Sequence, residues 1–353
     1  MQKLLYIGLK NDYGSAKRGL SYEYRNFLET LRQIKSFDVD FFPVDEILRL
    51  YGRKKMNQLL LKKINIWQPD ICFFVLFTDE VEKETLRLIT KQSNVTTLNW
   101  FTDDHWRFDT FSKYWAPLFH WTITTDQESL ERYYSAGCKN VILSQWGFNH
   151  RLLREEKQKY LYDVTFIGQV HSSRKRRIEE LRERDIEVQC WGKGWKRGTI
   201  SSEGMIERFK QSKINLNFTG SSSTLSLKRL AKILLNRRCD NTFQINSLKR
   251  MSNESKVLMR SARSQIKGRN FEIPGHGGFL LTDYADHLDR YYIPENEIAV
   301  FHNYDELVEK ISYYLCHDEE REKIRLAGQQ RTLRDHTYEK RFKEIFTTMG
   351  IPK

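Results

Sequence analysis

The stretch Gln265–Tyr284 reads QIKGRNFEIPGHGGFLLTDY. Arg269 and Glu272 stand one helical turn apart. A Pro-Gly-X-Gly-Gly break follows, and then the apolar run Phe279-Leu280-Leu281-Thr282, which has strand character. The order is helix, glycine break, strand, with ionisable groups on the helix and bare backbone at the break. Glycines without Cβ let a ligand lie against the main chain, and a helix end beside such a loop suits a phosphate. An arginine in this setting holds a diphosphate bidentately. A carboxylate there accepts the hydroxyls of a ribose, as acidic residues do in other nucleotide folds.

Upstream, strands alternate with helices. Strand patterns at Lys3–Gly8, Phe37–Val44, Ile71–Phe77, Thr96–Phe101, His120–Thr124 and Asn140–Ser144 are separated by helical ones such as Glu80–Lys91 and Gln127–Ala136. The fully apolar run at Ile71 is that of a buried parallel strand, and Asp45 is placed to cap the next helix. A second series begins near Tyr162, with strands at Asp163–Ile167, Glu187–Trp191 and Ile214–Phe218. Two α/β domains of the doubly wound kind follow from this alternation. The boundary falls in the polar stretch Trp146–Lys159, giving domains at 1–150 and 160–335 and a final helical segment at 336–353.

With 353 residues, 39% of them hydrophobic, the chain is too long for one ordinary core and too apolar for wholesale disorder. Its longest apolar run is far short of a membrane span. The N-terminal apolar stretch is too short for a signal peptide. Five scattered cysteines form no CxxC pair, so neither a zinc site nor a disulfide framework is indicated, and a reducing cytoplasm is the simplest compartment. The net charge is +13, and it is uneven. Residues 221–263 carry ten Lys/Arg against two acids, which is 10 − 2 = +8. Such a segment concentrates anionic partners: nucleic acid, phospholipid or a phosphorylated glycan. Its helical patterns are Leu225–Asn236 and Ser247–Arg263.

RNFEIPGHGGFLLTDY resembles the nucleotide-sugar signature of CgeB-like glycosyltransferases. The resemblance continues through Asn99-Trp-Phe-Thr-Asp-Asp104, Asp163-Val-Thr-Phe-Ile-Gly168, Tyr304-Asp305-Glu306-Leu307 and Asp335-His336-Thr337-Tyr338. It implies a GT-B enzyme, with two Rossmann-like domains facing a central cleft. The first domain would take the acceptor and the second a nucleotide-sugar donor, with 221–263 as a basic insertion and the last helix returning to the first domain. Sugar transfer, as by a hexosyltransferase, would then proceed with retention and without metal. The co-substrate would be a UDP-sugar, with no tightly bound cofactor. The acceptor is left open among glycan, lipid-linked and nucleic-acid species, with peripheral membrane contact and no transmembrane segment. A nucleic-acid-binding protein, or a DNA-directed glycosyltransferase, is the rival that the basic segment supports.

The candidate residues sit at strand ends, where ligands bind in open α/β sheets. On the donor side they are Gly168, His171, Arg174, Gly192, Trp195, Lys267, Arg269, Glu272, Gly275, Gly277 and Gly278. Glu272 matches the ribose-binding glutamate of the relatives' paired motif, whereas their first glutamate falls on Gln265. Asp103-Asp104-His105 reads first as a structural turn. As functional residues, Asp104 and His105 are the catalytic candidates and Asp103 is an acceptor contact. Gly14 and the basic residues Lys228, Arg229, Arg237 and Arg238 complete the acceptor set.

Overall fold

The computed structural model describes residues 1–92, 94–153, 159–220, 234–237, 242–248, 251–252 and 263–351. They form two compact units. The first holds Met1–Gln145 with the described residues of Leu225–Ser261 and Arg341–Lys353; the second holds the described residues of Trp146–Thr224 and Ala262–Lys340.

The first unit is built on a six-stranded sheet of β1 (Gln2–Gly8), β2 (Phe37–Pro43), β3 (Ile71–Phe74), β4 (Thr96–Phe101), β5 (Trp121–Thr124) and β6 (Val141–Leu143). Their order is β2-β1-β3-β4-β5-β6, and every pairing is parallel. Parallel strands need helical crossovers and are covered on both faces, so β3 is buried at all four positions. On one face an aromatic cluster forms the core. Phe342 of the helix Tyr338–Thr348 lies 5.6 Å from Phe27, 5.8 Å from Phe73 and 6.0 Å from Trp100, measured between ring centroids.

Asp45 does not cap its helix. The helix Val44–Trp67 starts after Pro43 without a side-chain cap, and Asp45 turns back instead. Its carboxylate accepts from the backbone N–H groups of Lys10 (2.8 Å) and Asn11 (3.0 Å) and from Asn11 Nδ2 (2.8 Å). A carboxylate one residue inside a helix favours nearby donors, and here the loop leaving β1 supplies them.

The second unit carries β7 (Tyr162–Ile167), β8 (Val188–Trp191), β9 (Ser212–Asn217), β12 (Leu280–Asp283) and β13 (Ala299–Phe301), in the order β13-β12-β9-β7-β8 and all parallel. The strands β10 (Leu235–Arg237) and β11 (Phe243–Ile245), which precede β12 in the chain, form a separate antiparallel pair. The second sheet has two apolar clusters. One includes Ile178, Leu181, Leu307 and Ile311. The other includes Phe148, Phe209, Phe271 and Ile273. The two parallel α/β sheets bear out the expected fold class. The helix expected over Leu225–Asn236 is corrected at its end by β10; a short apolar run does not separate strand from helix by periodicity. The pattern up to Ile233 lies outside the described residues, as does most of Ser247–Arg263.

Phe342 is fully buried, and removing its ring leaves a cavity within the aromatic cluster. Phe342→Ala should lower the unfolding free energy by about 3–5 kcal/mol, measured by urea denaturation. A loss below ~1 kcal/mol would show that the cluster closes around the gap.

Candidate active site

Chemistry-bearing residues gather at the carboxyl ends of β7, β9 and β12 in the second unit. Asp283 ends β12 and is almost buried. Its Oδ1 accepts from Thr219 N–H (2.6 Å) and Thr219 Oγ1 (2.7 Å), and its Oδ2 from Gly220 N–H (3.3 Å) and Arg177 (3.3 Å). One carboxylate thus ties the exit of β9 to the helix Ser172–Arg182. Arg174, on the same helix, donates to the carbonyls of Gln169 (3.1 Å) and Phe218 (3.0 Å), bridging the exits of β7 and β9. Burial holds its guanidinium below the ordinary value; the Asp283 charge opposes this shift, and nearby Arg177 and Arg269 reinforce it. Arg177 and Arg269 are thus near enough for their charges to bear on Arg174 at the carboxyl end of the sheet.

Arg269 and Glu272 form an ion pair along the helix Arg269–Gly275, and Glu272 is buried. Arg269 also lies over the Phe209 ring at 5.6 Å. The start of this helix is pinned by Asn270, whose Oδ1 accepts from Lys267 N–H (2.9 Å) and from Asn217 Nδ2 (3.3 Å). Sequence reasoning missed Asn217, Asn270 and Thr282 as a buried polar network. Asn217 and Thr282 stand among apolar strand residues, a signal that could have found them, whereas Asn270 sits among the charged residues Lys267, Arg269 and Glu272 and carries none.

The glycine break is corrected in its role. It is the carboxyl end of the helix, the negative end of its dipole. The N–H groups of His276, Gly277 and Gly278 are spent on the carbonyls of Glu272, Pro274 and Ile273. Gly277 has φ +80°, the usual device for ending a helix. A Cβ at Gly275 would stand 2.4 Å from the Phe148 ring, and one at Gly278 2.9 Å from the Phe209 carbonyl oxygen. Protein atoms, not a phosphate, account for these two glycines. Gly192 is similar, since a Cβ there would lie 2.2 Å from the Gly168 carbonyl oxygen. Trp195 donates its indole N–H to that same oxygen (2.8 Å), and Trp195 and Gly192 together hold the turn after β8 against the exit of β7. His171 is exposed and precedes the helix Ser172–Arg182.

In the first unit, Gly14 is exposed in the loop after β1, at φ +71°. Asp104 and His105, the catalytic candidates, are buried. Asp104 Oδ2 accepts from Thr124 Oγ1 (2.5 Å) and Tyr133 Oη (2.7 Å), so this carboxylate joins β5 to a helix. Burial raises its carboxyl to about 6 against those hydrogen bonds. Asp103, just before it, is partly exposed. Glu23, which sequence reasoning missed, has its carboxyl raised to about 7 by burial and by the charges of Asp12 and Asp103. Nothing in its local pattern marks it; the loops after β1 and β4 bring the three acids together. Lys228, Arg229 and Arg238 lie outside the described residues, and of Arg237 only the backbone is described, at the end of β10.

The comparisons place this pair of all-parallel α/β sheets in the GT-B fold. Residues 174–347 match the family described as "Glycosyl transferase-like". Spore protein CgeB of Bacillus subtilis is 24% identical over 284 residues, covering 79% of this chain and 82% of CgeB. The CgeB-like resemblance read from the sequence is thus borne out. Among solved structures, sucrose-phosphate synthase from Thermosynechococcus elongatus superimposes with a TM-score of 0.61 at 11% identity, covering 99% of this chain and 98% of that one. HepE from Anabaena in complex with UDP gives 0.56 at 9% identity, covering 99% and 100%. At such identities these structures show the fold alone.

Asp104 gives a pH-dependent test. Its folded value of about 6 lies above the ordinary 3.8. As pH rises between these values the unfolded chain loses this proton first, so the group's contribution to stability falls. Relative to Asp104→Asn, the wild type should lose about 2 kcal/mol of unfolding free energy between pH ~4 and ~6.5. Urea melts of both proteins across that range check this, and a pH-independent difference would remove the raised titration.

Proposed function

We propose that the second unit binds a nucleoside diphosphate sugar, with UDP-sugars as the favoured donors, and that the enzyme passes the sugar to an acceptor hydroxyl. The observation that carries this reading is the set of guanidinium groups at the carboxyl end of the second sheet, Arg174 within reach of the charges of Arg177 and Arg269, and Arg269 paired with Glu272. Departure of a nucleoside diphosphate needs its growing negative charge neutralised. Guanidinium groups do this with fixed bidentate geometry. Glu272 takes the ribose hydroxyls in this reading, and Lys267 adds charge next to Arg269. Gly168, His171, Gly192 and Trp195 shape the base-side turns. The UDP complex of HepE supports the choice of nucleotide. Retention of configuration comes from the CgeB-like resemblance. The acceptor engages the basic segment 221–263, with Gly14 and Asp103 as further contacts.

Glu272→Ala should leave the fold intact and weaken UDP binding by about 10- to 100-fold, the cost of one charged hydrogen-bonding group. Calorimetric titration with UDP measures it, and an unchanged affinity would remove Glu272 from the site. Transfer should also persist in EDTA, because arginines take the place of a divalent ion. Activity lost on chelation and restored by manganese would overturn metal independence.

A further inference from the structure

The strands β10 and β11 form a two-stranded sheet of their own and hold aliphatic side chains out in solvent. Leu235 stands opposite Ile245 in the antiparallel register, so the two side chains share one face of the pair. They are 41% and 76% exposed. At the open end of the pair, Leu234 accepts at its carbonyl from Asn246 N–H (2.8 Å) and is 55% exposed, and Leu248 is 85% exposed. Among the described residues no third strand joins these two. A two-stranded ribbon buries little by itself, and large aliphatic groups gathered in water at one place mark an interaction surface.

These strands lie within residues 221–263, whose ten Lys/Arg against two acids give a local charge of +8. Charge alone does not choose among anionic partners; the aliphatic side chains do. Nucleic acid is gripped by cations and stacked on aromatic rings, and Phe243 is the one aromatic residue of 221–263. A phosphorylated glycan has no acyl surface in which to bury a leucine. A second copy of the chain would bring two segments of like charge together. A bilayer containing anionic lipids meets both needs, with an acyl boundary for Leu and Ile and surface phosphates for Lys and Arg. We infer that the β10–β11 pair seats the protein on an anionic lipid bilayer, its aliphatic side chains entering the headgroup boundary while the charge of 221–263 holds it to the phosphates. This deepens the reading that 221–263 engages the acceptor, and rests on it: an acceptor met there is one carried by the membrane. It does not rest on the donor site.

The test is co-sedimentation of the full chain with vesicles of phosphatidylcholine, alone or mixed with phosphatidylglycerol. One variant carries Leu235→Ser with Ile245→Ser, a second carries Leu248→Ser alone, and a third carries Lys228→Gln with Arg229→Gln. Thermal melts check that each is folded. We expect the wild type to bind the mixed vesicles and to leave them as salt is raised. The first variant should lose about tenfold or more in partitioning and the second about threefold. The inference is overturned if the wild type ignores the mixed vesicles, if it binds phosphatidylcholine alone equally well, or if both apolar variants bind as the wild type does. It is also overturned if the wild type is a dimer without vesicles and the apolar variants are monomers, or if random duplex DNA is bound and vesicles are not. Apolar variants that bind normally strike the inference and leave the anionic partner of 221–263 standing. A Lys228→Gln, Arg229→Gln variant that binds normally strikes the role of those basic residues and leaves the apolar seat standing.

Discussion

Guanidinium groups cannot be gathered at one sheet edge unless carboxylates and carbonyls are gathered with them. In the second unit that requirement organises the end of the sheet. Asp283 holds Arg177 while accepting from Thr219 and Gly220, so one side chain fixes both the charge balance and the loop after β9. Arg174 satisfies two carbonyls across the exits of β7 and β9. Removing a partner from a buried charge costs far more than an exposed pair gains. The anchors are thus set by the fold before any ligand arrives, as preorganised electrostatics requires.

The same economy of contact explains the glycines. Gly328 would place a Cβ 2.1 Å from the Glu297 carbonyl oxygen, and Gly275 would meet the Phe148 ring. These residues permit close approach between protein segments. The glycine-rich break therefore terminates a helix and seats it, and the charged groups upstream of it are left as the chemistry.

The sequence is most readable where a local pattern is also the structural cause. The apolar run at β3 and the helix–break–strand order of 265–284 are of that kind, because burial and helix termination act over a few residues. Asp45 was misread because cap and loop anchor look alike until the partner loop is placed. Asp104 and Glu23 were beyond reach for a related reason. Burial by residues far along the chain, Thr124 and Tyr133 for Asp104, decides whether a carboxylate meets solvent. Gly275 and Phe148 show the same limit, being neighbours only after folding. Arg269 and Glu272 were legible as a pair because helical geometry alone brings them together.

That pair has a bearing on selectivity. Arg269 is paired with the Glu272 carboxylate, so the protein carries its own competitor for the group proposed to take the ribose. A ribonucleotide offers two vicinal hydroxyls in exchange for the contact it disrupts. A 2′-deoxyribonucleotide offers one and leaves a buried carboxylate oxygen short of a donor. If Glu272 takes the ribose as proposed, the ion pair would act as a threshold that discriminates between the two sugars, set by an interaction wholly within one turn of one helix.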